Sequence, residues 1–320
     1  MMMNKMHDIL FDFLCVASFF GIWPRFIEPK LLNIQKLDLK IKNLHPGLEG
    51  LRALHYSDIH FSASSSPYLL NKVLRVFNEF QPHLCLFTGD LITHSNFEDP
   101  KNQLRDFLLQ LQPPLGSFFV LGNHDYEKYA TLCESGYVDV LEEKKSYLLR
   151  VFKRFFFEKR PFWGIQERLS LIEENYKLSK LLKETGHVLL HNESRQVKRK
   201  GASLNIVGLG DLWLRRFLPE KAFANYDSDW PGIVLSHNPD TFVELCKWPG
   251  DLVLSGHTHG GQVNLPFISK RLIFQEHMEY IRGYYERGDK RLYVSPGLSS
   301  PKPFRLFCPP EILLVSLSKS

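Results

Sequence analysis

"LRALHYSDIH" (51–60) is an apolar run that ends on two polar side chains, Asp58 and His60. A turn signal, "HPGLEG" (45–50), precedes it. Before that, "KLDLKIKNL" (36–44) alternates apolar and polar residues with period two, as a half-exposed strand does. The 51–60 run is therefore read as the next strand. The chain then repeats the arrangement. "SPYLLNKVLRVFNEF" (66–80) has helical periodicity, "HLCLFTGD" (83–90) is a short apolar run, "NQLRDFLLQL" (102–111) is helical, and "SFFVLGNHD" (117–125) is strand-like again. Strands alternating with helices in this way predict a layered α/β domain. In each strand the polar residues come last, at the C-terminal end, where open α/β sheets place their ligands.

The second half offers "SLNIVGLGD" (203–211), "GIVLSHNPD" (232–240), "DLVLSGHTHGG" (251–261), "RLYVSPGLSS" (291–300) and "EILLVSLS" (311–318). These are more short strands, and they imply a second sheet. Residues 127–185 break the rhythm. They read as a helical insertion that includes "KKSYLLRVFKRFFFEKRPFW" (144–163) and most of "IQERLSLIEENYKLSKLLKETG" (165–186). No internal repeat appears. Residues 31–320 are expected to form one catalytic domain, with residues 1–30 as a separate N-terminal segment.

In order, the strand-end residues are Asp58, His60, Asp90, Asn123, His124, His237, His257 and His259. Asp58 and Asp90 are 32 positions apart, and Asp90 and Asn123 are 33 apart. Each interval is about one strand-helix-strand unit, so three neighbouring parallel strands can deliver their tips to one place. Carboxylates, imidazoles and an amide oxygen, without thiolate, form a donor set suited to Mn, Fe or Zn. The set exceeds the needs of one ion. Two divalent ions about 3.5–4 Å apart, bridged by a carboxylate, hold a phosphoryl oxygen between them and acidify a shared water. That chemistry is phosphoester hydrolysis.

"SDIH", "GD", "GNHD", the lone His of "SHNPD" and "GHTHGG" resemble the five signature blocks of the calcineurin-like metallophosphoesterases, complete and in order from Asp58 to Gly261. The resemblance implies a four-layer α/β/β/α sandwich with a dinuclear site at one edge. Carried onto matching positions, it implies that Asp58, His60 and His259 hold a first metal. Asn123, His237 and His257 would hold a second, and Asp90 would bridge the two. Mn²⁺ is the expected ion, with Fe or Zn as alternatives. His124 would face the phosphate and protonate the leaving oxygen or stabilise the transition state. Asp125 either orients that imidazole or serves as a cap or turn residue.

The apolar N-terminus, "GHVLLHNES" (186–194) and "FRLFCPPEILLVSL" (304–317) resemble the membrane-associated bacterial branch of the family, in particular the UDP-2,3-diacylglucosamine pyrophosphatases of lipid A biosynthesis. This resemblance implies attack at the α-phosphorus of an acylated UDP-sugar, giving UMP and 2,3-diacylglucosamine 1-phosphate, at the cytoplasmic face of the inner membrane. Residues 144–163 hold seven Lys or Arg and seven aromatic rings in twenty positions. Arg150, Lys153 and Arg154 complement phosphate, and Phe152 and Phe156 complement acyl chains or bilayer, as a lid over the site would. The alternative is a helix whose rings pack on the domain while its cations stay solvated. Arg305 in "FRLF" is either a phosphate contact or a surface pair. Two further readings stand beside these: the same metal site acting on soluble phosphodiesters or phosphoproteins, and a non-catalytic protein using its basic segment on membrane or RNA. The complete ligand set and His124 argue against the last.

Composition sets the outer limits. A chain of 320 residues with 44% hydrophobic content can bury one large core. A net charge of +5 suits an anionic substrate or membrane surface and is too weak for a dedicated nucleic-acid binder. Five cysteines without a CxxC pair give neither a disulfide framework nor a zinc ribbon, and suggest a reducing compartment. "ILFDFLCVASFFGIW" (9–23) contains Asp12 and falls short of the ~20 residues a spanning helix needs. Asp8 and Asp12 share one face while Leu10, Phe13, Leu14 and Ala17 line another, the pattern of an interfacial helix anchored by Trp23 and Arg25. A helix packed on the core and a signal peptide are the alternatives, the latter weakened by the internal Asp.

Overall fold

The computed structural model describes residues 2–62, 65, 67–94, 97–99, 101–128, 130–133, 137–140, 164–264, 280–301 and 304–320. The strands of the first half are β1 (Asn33–Ile41), β2 (Arg52–Tyr56), β3 (Leu84–Thr88), β4 (Ser117–Val120), β5 (Ala130–Leu132), β6 (Tyr137–Val140) and β7 (Gly164–Ile165). Those of the second are β8 (Val188–Leu189), β9 (Glu193–Arg199), β10 (Ala202–Gly208), β11 (Gly232–Leu235), β12 (Leu252–Ser255), β13 (Gly283–Arg287), β14 (Lys290–Val294) and β15 (Glu311–Lys319). The α-helices are α1 (Met2–Ile22), α2 (Pro67–Phe80), α3 (Gln103–Gln110), α4 (Tyr176–Glu184), α5 (Pro219–Ala222) and α6 (Phe242–Leu245).

Two six-stranded sheets carry the domain, in the orders β1-β15-β2-β3-β4-β8 and β13-β14-β12-β11-β10-β9. Period-two alternation decides which core each side chain joins. On β2 and β3, Ala53, Leu84 and Leu86 face a core shared with Leu204, Ile233, Leu235, Leu252 and Leu254 of the other sheet. Leu54, Cys85 and Phe87 point the opposite way and pack under Leu70, Val73 and Leu74 of α2 and Leu104, Phe107 and Leu108 of α3. On the second sheet Val207, Val234, Val253 and Val294 turn outward to Ala222 of α5 and to Phe242 and Leu245 of α6. Helix, sheet, sheet, helix is the four-layer sandwich expected from the sequence. Strand β15 lies between β1 and β2, parallel to the first and antiparallel to the second, so the two ends of the domain close on each other.

Among the described residues of 127–185, the helical expectation is met by α4 and departed from before it, where the chain forms the small sheet β5-β6-β7 and a 3₁₀ turn, Glu167–Leu171. Asn175 caps α4, its Oδ1 accepting from Leu178 N at 3.2 Å. Strands of two to four residues are too short to display a period, which is why the sequence concealed them. Residues 144–163, where the basic-aromatic lid was placed, lie outside the described residues.

Helix α1 also departs from expectation. It continues through a π turn, Trp23–Ile27, and a 3₁₀ turn, Glu28–Lys30, and the stretch Ile9–Lys30 is long and apolar enough to cross a membrane by length and composition. Ile9, Leu10, Phe11, Phe13 and Leu14 are each more than half exposed, so the alternative of a helix packed on the core does not hold.

Candidate metal centre

Five of the seven candidate ligand residues, Asp58, His60, Asp90, His257 and His259, hold left-handed backbone angles, with φ between 47° and 70°. Such angles cost a non-glycine residue about 1–2 kcal/mol each, and their clustering marks loops bent to aim side chains at a common point. Asp58 and His60 follow β2, Asp90 follows β3, and Asn123 and His124 follow β4, three parallel neighbours. His237 follows β11, and His257 and His259 follow β12, a parallel pair in the second sheet. Both sheets thus direct C-terminal ends to one edge. The loops are bonded together there: Asp58 N donates to Gly89 O at 3.0 Å, His60 N to Asp90 O at 3.0 Å, and His124 N to Asp90 Oδ1 at 2.9 Å.

Donor atoms of Asp58, His60, Asp90 and His259 lie within 4.8 Å of one another, and those of Asp90, His237 and His257 do likewise. Asn123 joins the second group, its Oδ1 3.2 Å from His237 Nε2 and 3.0 Å from His257 Nδ1. Its Nδ2 donates to Ala130 O, which leaves the oxygen facing the histidines. Asp90 belongs to both groups. Close approach leaves no room for side chains at neighbouring glycines. A Cβ on Gly122 would sit 2.6 Å from Asp90 N and overlap the Asp90 carboxylate, and one on Gly256 would overlap Ser57 Oγ and Asp58 Oδ2.

The imidazoles are oriented from behind. His237 Nδ1 donates to Thr88 O at 2.6 Å and His259 Nδ1 to Ser299 O at 3.1 Å, which turns each Nε2 inward. Among the described residues neither ring nitrogen of buried His60 has a hydrogen-bond partner, although Nε2 is 3.4 Å from Asp90 Oδ2 and 3.9 Å from Asp58 Oδ1. A buried nitrogen facing carboxylates without a bond is an atom that a cation would satisfy. Burial holds His60 and His257 well below the usual imidazole range and takes His259 down to about 3, so all three are neutral, as metal ligands must be. Burial opposes charge on His237 too, but the Asp90 carboxylate overrides it and raises the imidazole to about 10. Burial likewise lifts the Asp58 carboxyl to about 7. Without a cation the site carries protons that a divalent ion would displace. The oxygen and nitrogen donors present fit such an ion.

His124 is half-buried beside the first group, its ring edge-on to that of His60 at 4.8 Å, with Nδ1 2.9 Å from Thr93 O. The carbonyl that orients it is that of Thr93, which no sequence pattern singles out. Asp125 does not serve that purpose. Its Oδ1 accepts from Leu91 N and Ile92 N at 2.8 and 3.1 Å and its Oδ2 from Gly122 N at 3.0 Å, so the carboxylate staples the Asp90 and Asn123 loops together. Of the two readings offered for Asp125, the turn residue is the one this geometry favours.

Arg305 is neither a phosphate contact nor a surface pair. It is 1% exposed, and its guanidinium donates to the carbonyls of Pro296, Gly297, Ser299 and Cys308. Arg150, Phe152, Lys153, Arg154 and Phe156 lie outside the described residues. The sequence reading overlooked the 296–299 loop, whose Ser299 N donates to Asp58 O at 2.7 Å and whose Leu298 N donates to Ser57 O at 2.9 Å. The signal was there in "YVSPGLSS", a strand that ends on Ser and Gly as the ligand strands end on His and Asp. Asp211, at the end of β10, follows the same rule: it is buried, burial lifts its carboxyl to about 7, and Oδ1 accepts from Leu214 N.

Residues 51–261 match the family described as calcineurin-like phosphoesterase. The chain is 37% identical over 307 residues to the UDP-2,3-diacylglucosamine pyrophosphatase LpxG of Chlamydia muridarum, covering 92% of each chain. It is 36% identical to the protein of the same name from Chlamydia trachomatis, again over 92% of each. Similarity extends to the phosphodiesterase YaeI of Escherichia coli, at 26% identity over 83% of this chain and 82% of that one.

Proposed function

Because the chain belongs to the calcineurin-like metallophosphoesterases and is a metal-dependent hydrolase, we propose that it cleaves the pyrophosphate of UDP-2,3-diacylglucosamine at the α-phosphorus, releasing UMP and 2,3-diacylglucosamine 1-phosphate. The observation that carries this reading is similarity to two pyrophosphatases of that name across nearly the whole length of both chains. A substrate with two acyl chains suits a protein whose first helix bares apolar side chains on several sides. In the proposal α1 enters the cytoplasmic leaflet of the inner membrane and keeps the catalytic domain at its surface.

Asp58, His60 and His259 are assigned to one divalent ion, Asn123, His237 and His257 to a second, and Asp90 to both, with Mn²⁺ as the proposed metal. Two ions so held supply Lewis acidity to the phosphoryl oxygens and acidify a water. The chain's own residues do the rest. Thr88 and Ser299 carbonyls fix the His237 and His259 rings so that Nε2 of each faces the site. The Thr93 carbonyl holds His124 by Nδ1, which leaves Nε2 to face a phosphoryl oxygen and, as imidazolium, to deliver a proton to the departing oxygen. The basic-aromatic segment 144–163, with Arg150, Phe152, Lys153, Arg154 and Phe156, is assigned to the acylated end of the substrate.

Rates of the full chain in mixed micelles with Mn²⁺ test the assignment, with UDP-2,3-diacylglucosamine compared against a soluble aryl phosphodiester. The expected result is UMP release from the acylated substrate with a kcat/KM higher by orders of magnitude. A preference for the soluble diester would move the protein to the phosphodiesterase reading that similarity to YaeI favours.

A further inference from the structure

The foot of the N-terminal segment is bonded to the loops that carry the first ligand group. Glu28 is 3% exposed, and its carboxylate accepts from Trp23 Nε1 at 2.8 Å and, across 280 positions of sequence, from Cys308 N at 2.5 Å. Four residues earlier, the Pro24 carbonyl accepts from Arg305 N at 2.8 Å. Residues 305–308 are thus held at both ends by residues 24–28. From there the connection runs to the metal ligands. Arg305 Nη2 donates to Ser299 O at 2.8 Å, and that same carbonyl receives Nδ1 of His259. Cys308 Sγ lies 3.3 Å from His259 O and 3.5 Å from Gly260 O. Ser299 N donates to Asp58 O. Two of the four residues in the first ligand group therefore rest on loops that Glu28, Pro24 and Arg305 tie down. Asn123 and His237 are bonded instead to Ala130, Thr88, His257 and each other.

We propose that Glu28 and Arg305 are positioning residues for the first metal: they lock the base of the N-terminal segment to the loop that fixes the tautomer and aim of His259. The proposal rests on the dinuclear reading of the site. A buried guanidinium with four carbonyl acceptors needs a nearby anion to offset its charge, and Glu28 is one of the carboxylates that do so, Asp58 being another. A lysine at 305 would keep the charge but lose the planar fork that spans those carbonyls. A glutamine at 28 would oppose its NH₂ to one of the two N–H groups now donating to the carboxylate.

The test is calorimetric titration of the metal-stripped full chain in detergent micelles with Mn²⁺. The parent should bind two ions. Glu28→Gln and Arg305→Lys should each weaken one of the two sites by roughly 10–100-fold, as loss of an outer partner does, and spare the other. In a His259→Asn background, Glu28→Gln should leave the remaining site unchanged. Leu182→Ala, which opens a cavity in the core under α4, should lower stability yet keep both affinities, separating positioning from general loosening. Two unaltered sites in both variants, or equal weakening of both sites, would overturn the proposal. A parent chain that binds a single ion would instead refute the dinuclear reading beneath it.

Discussion

At the scale of residues, each imidazole of the site does a different job because of what stands behind it. His237 and His259 are oriented by carbonyls, His60 makes no ring-nitrogen hydrogen bond among the described residues, and His124 stands outside both ligand groups with Thr93 behind its ring. Replacing His124 by Asn should lower kcat by about 10²–10⁴-fold, as loss of a general acid does, while Mn²⁺ stoichiometry is retained. Loss of metal in that variant would place His124 among the ligands. Proton competition gives a second expectation. A carboxyl at Asp58 raised to about 7 and an imidazole at His237 raised to about 10 are both protonated below neutrality in the metal-free chain. Metal must displace those protons, so Mn²⁺ affinity should fall as pH drops through 7, and binding at pH 7 should release protons that scale with buffer ionisation enthalpy in calorimetry. A pH-independent affinity between 6 and 8 would contradict it. The candidate ligands were legible in the sequence because each sits just after an apolar strand. The carbonyls of Thr88, Thr93 and Ser299 were not, since any residue carries a carbonyl and only the fold determines where it points.

At the scale of elements, strands that alternate with helices announced themselves through their periods, and the two sheets follow from them. Short strands did not: β5, β6 and β7 are two to four residues long, and the pairing that defines them is not written in local sequence. Arg305 shows the same limit for a single side chain, because "FRLF" reads as a phosphate contact or a surface pair until the loop closes over it. Helix α1 was legible as apolar but not in its extent, since Pro24 permits a π turn to carry the helical path to Lys30. Deleting residues 1–22, which leaves Trp23 and Glu28 in place, should abolish flotation with anionic liposomes and reduce turnover of acylated substrate. Turnover of a soluble diester should be spared. Equal loss on both substrates would assign α1 to the integrity of the domain instead. Substituting Phe152 and Phe156 together by Ser should give the same split between substrates if segment 144–163 handles acyl chains.

At the scale of the whole molecule, four layers pack two sheets face to face so that five loops meet at one edge, and β15 returns the C-terminus to the strand that follows the N-terminal segment. In the proposed function this architecture joins the apolar face of α1 and the candidate metal centre in one body. The proposed reaction is hydrolysis of an acylated UDP-sugar with water entering at the α-phosphorus. The measurement that bears on it most directly is turnover of UDP-2,3-diacylglucosamine in ¹⁸O-labelled water, followed by mass spectrometry of both products. Attack at the α-phosphorus should place one ¹⁸O in UMP and none in 2,3-diacylglucosamine 1-phosphate. Label in the lipid phosphate, or no UMP at all with any divalent metal, would contradict it.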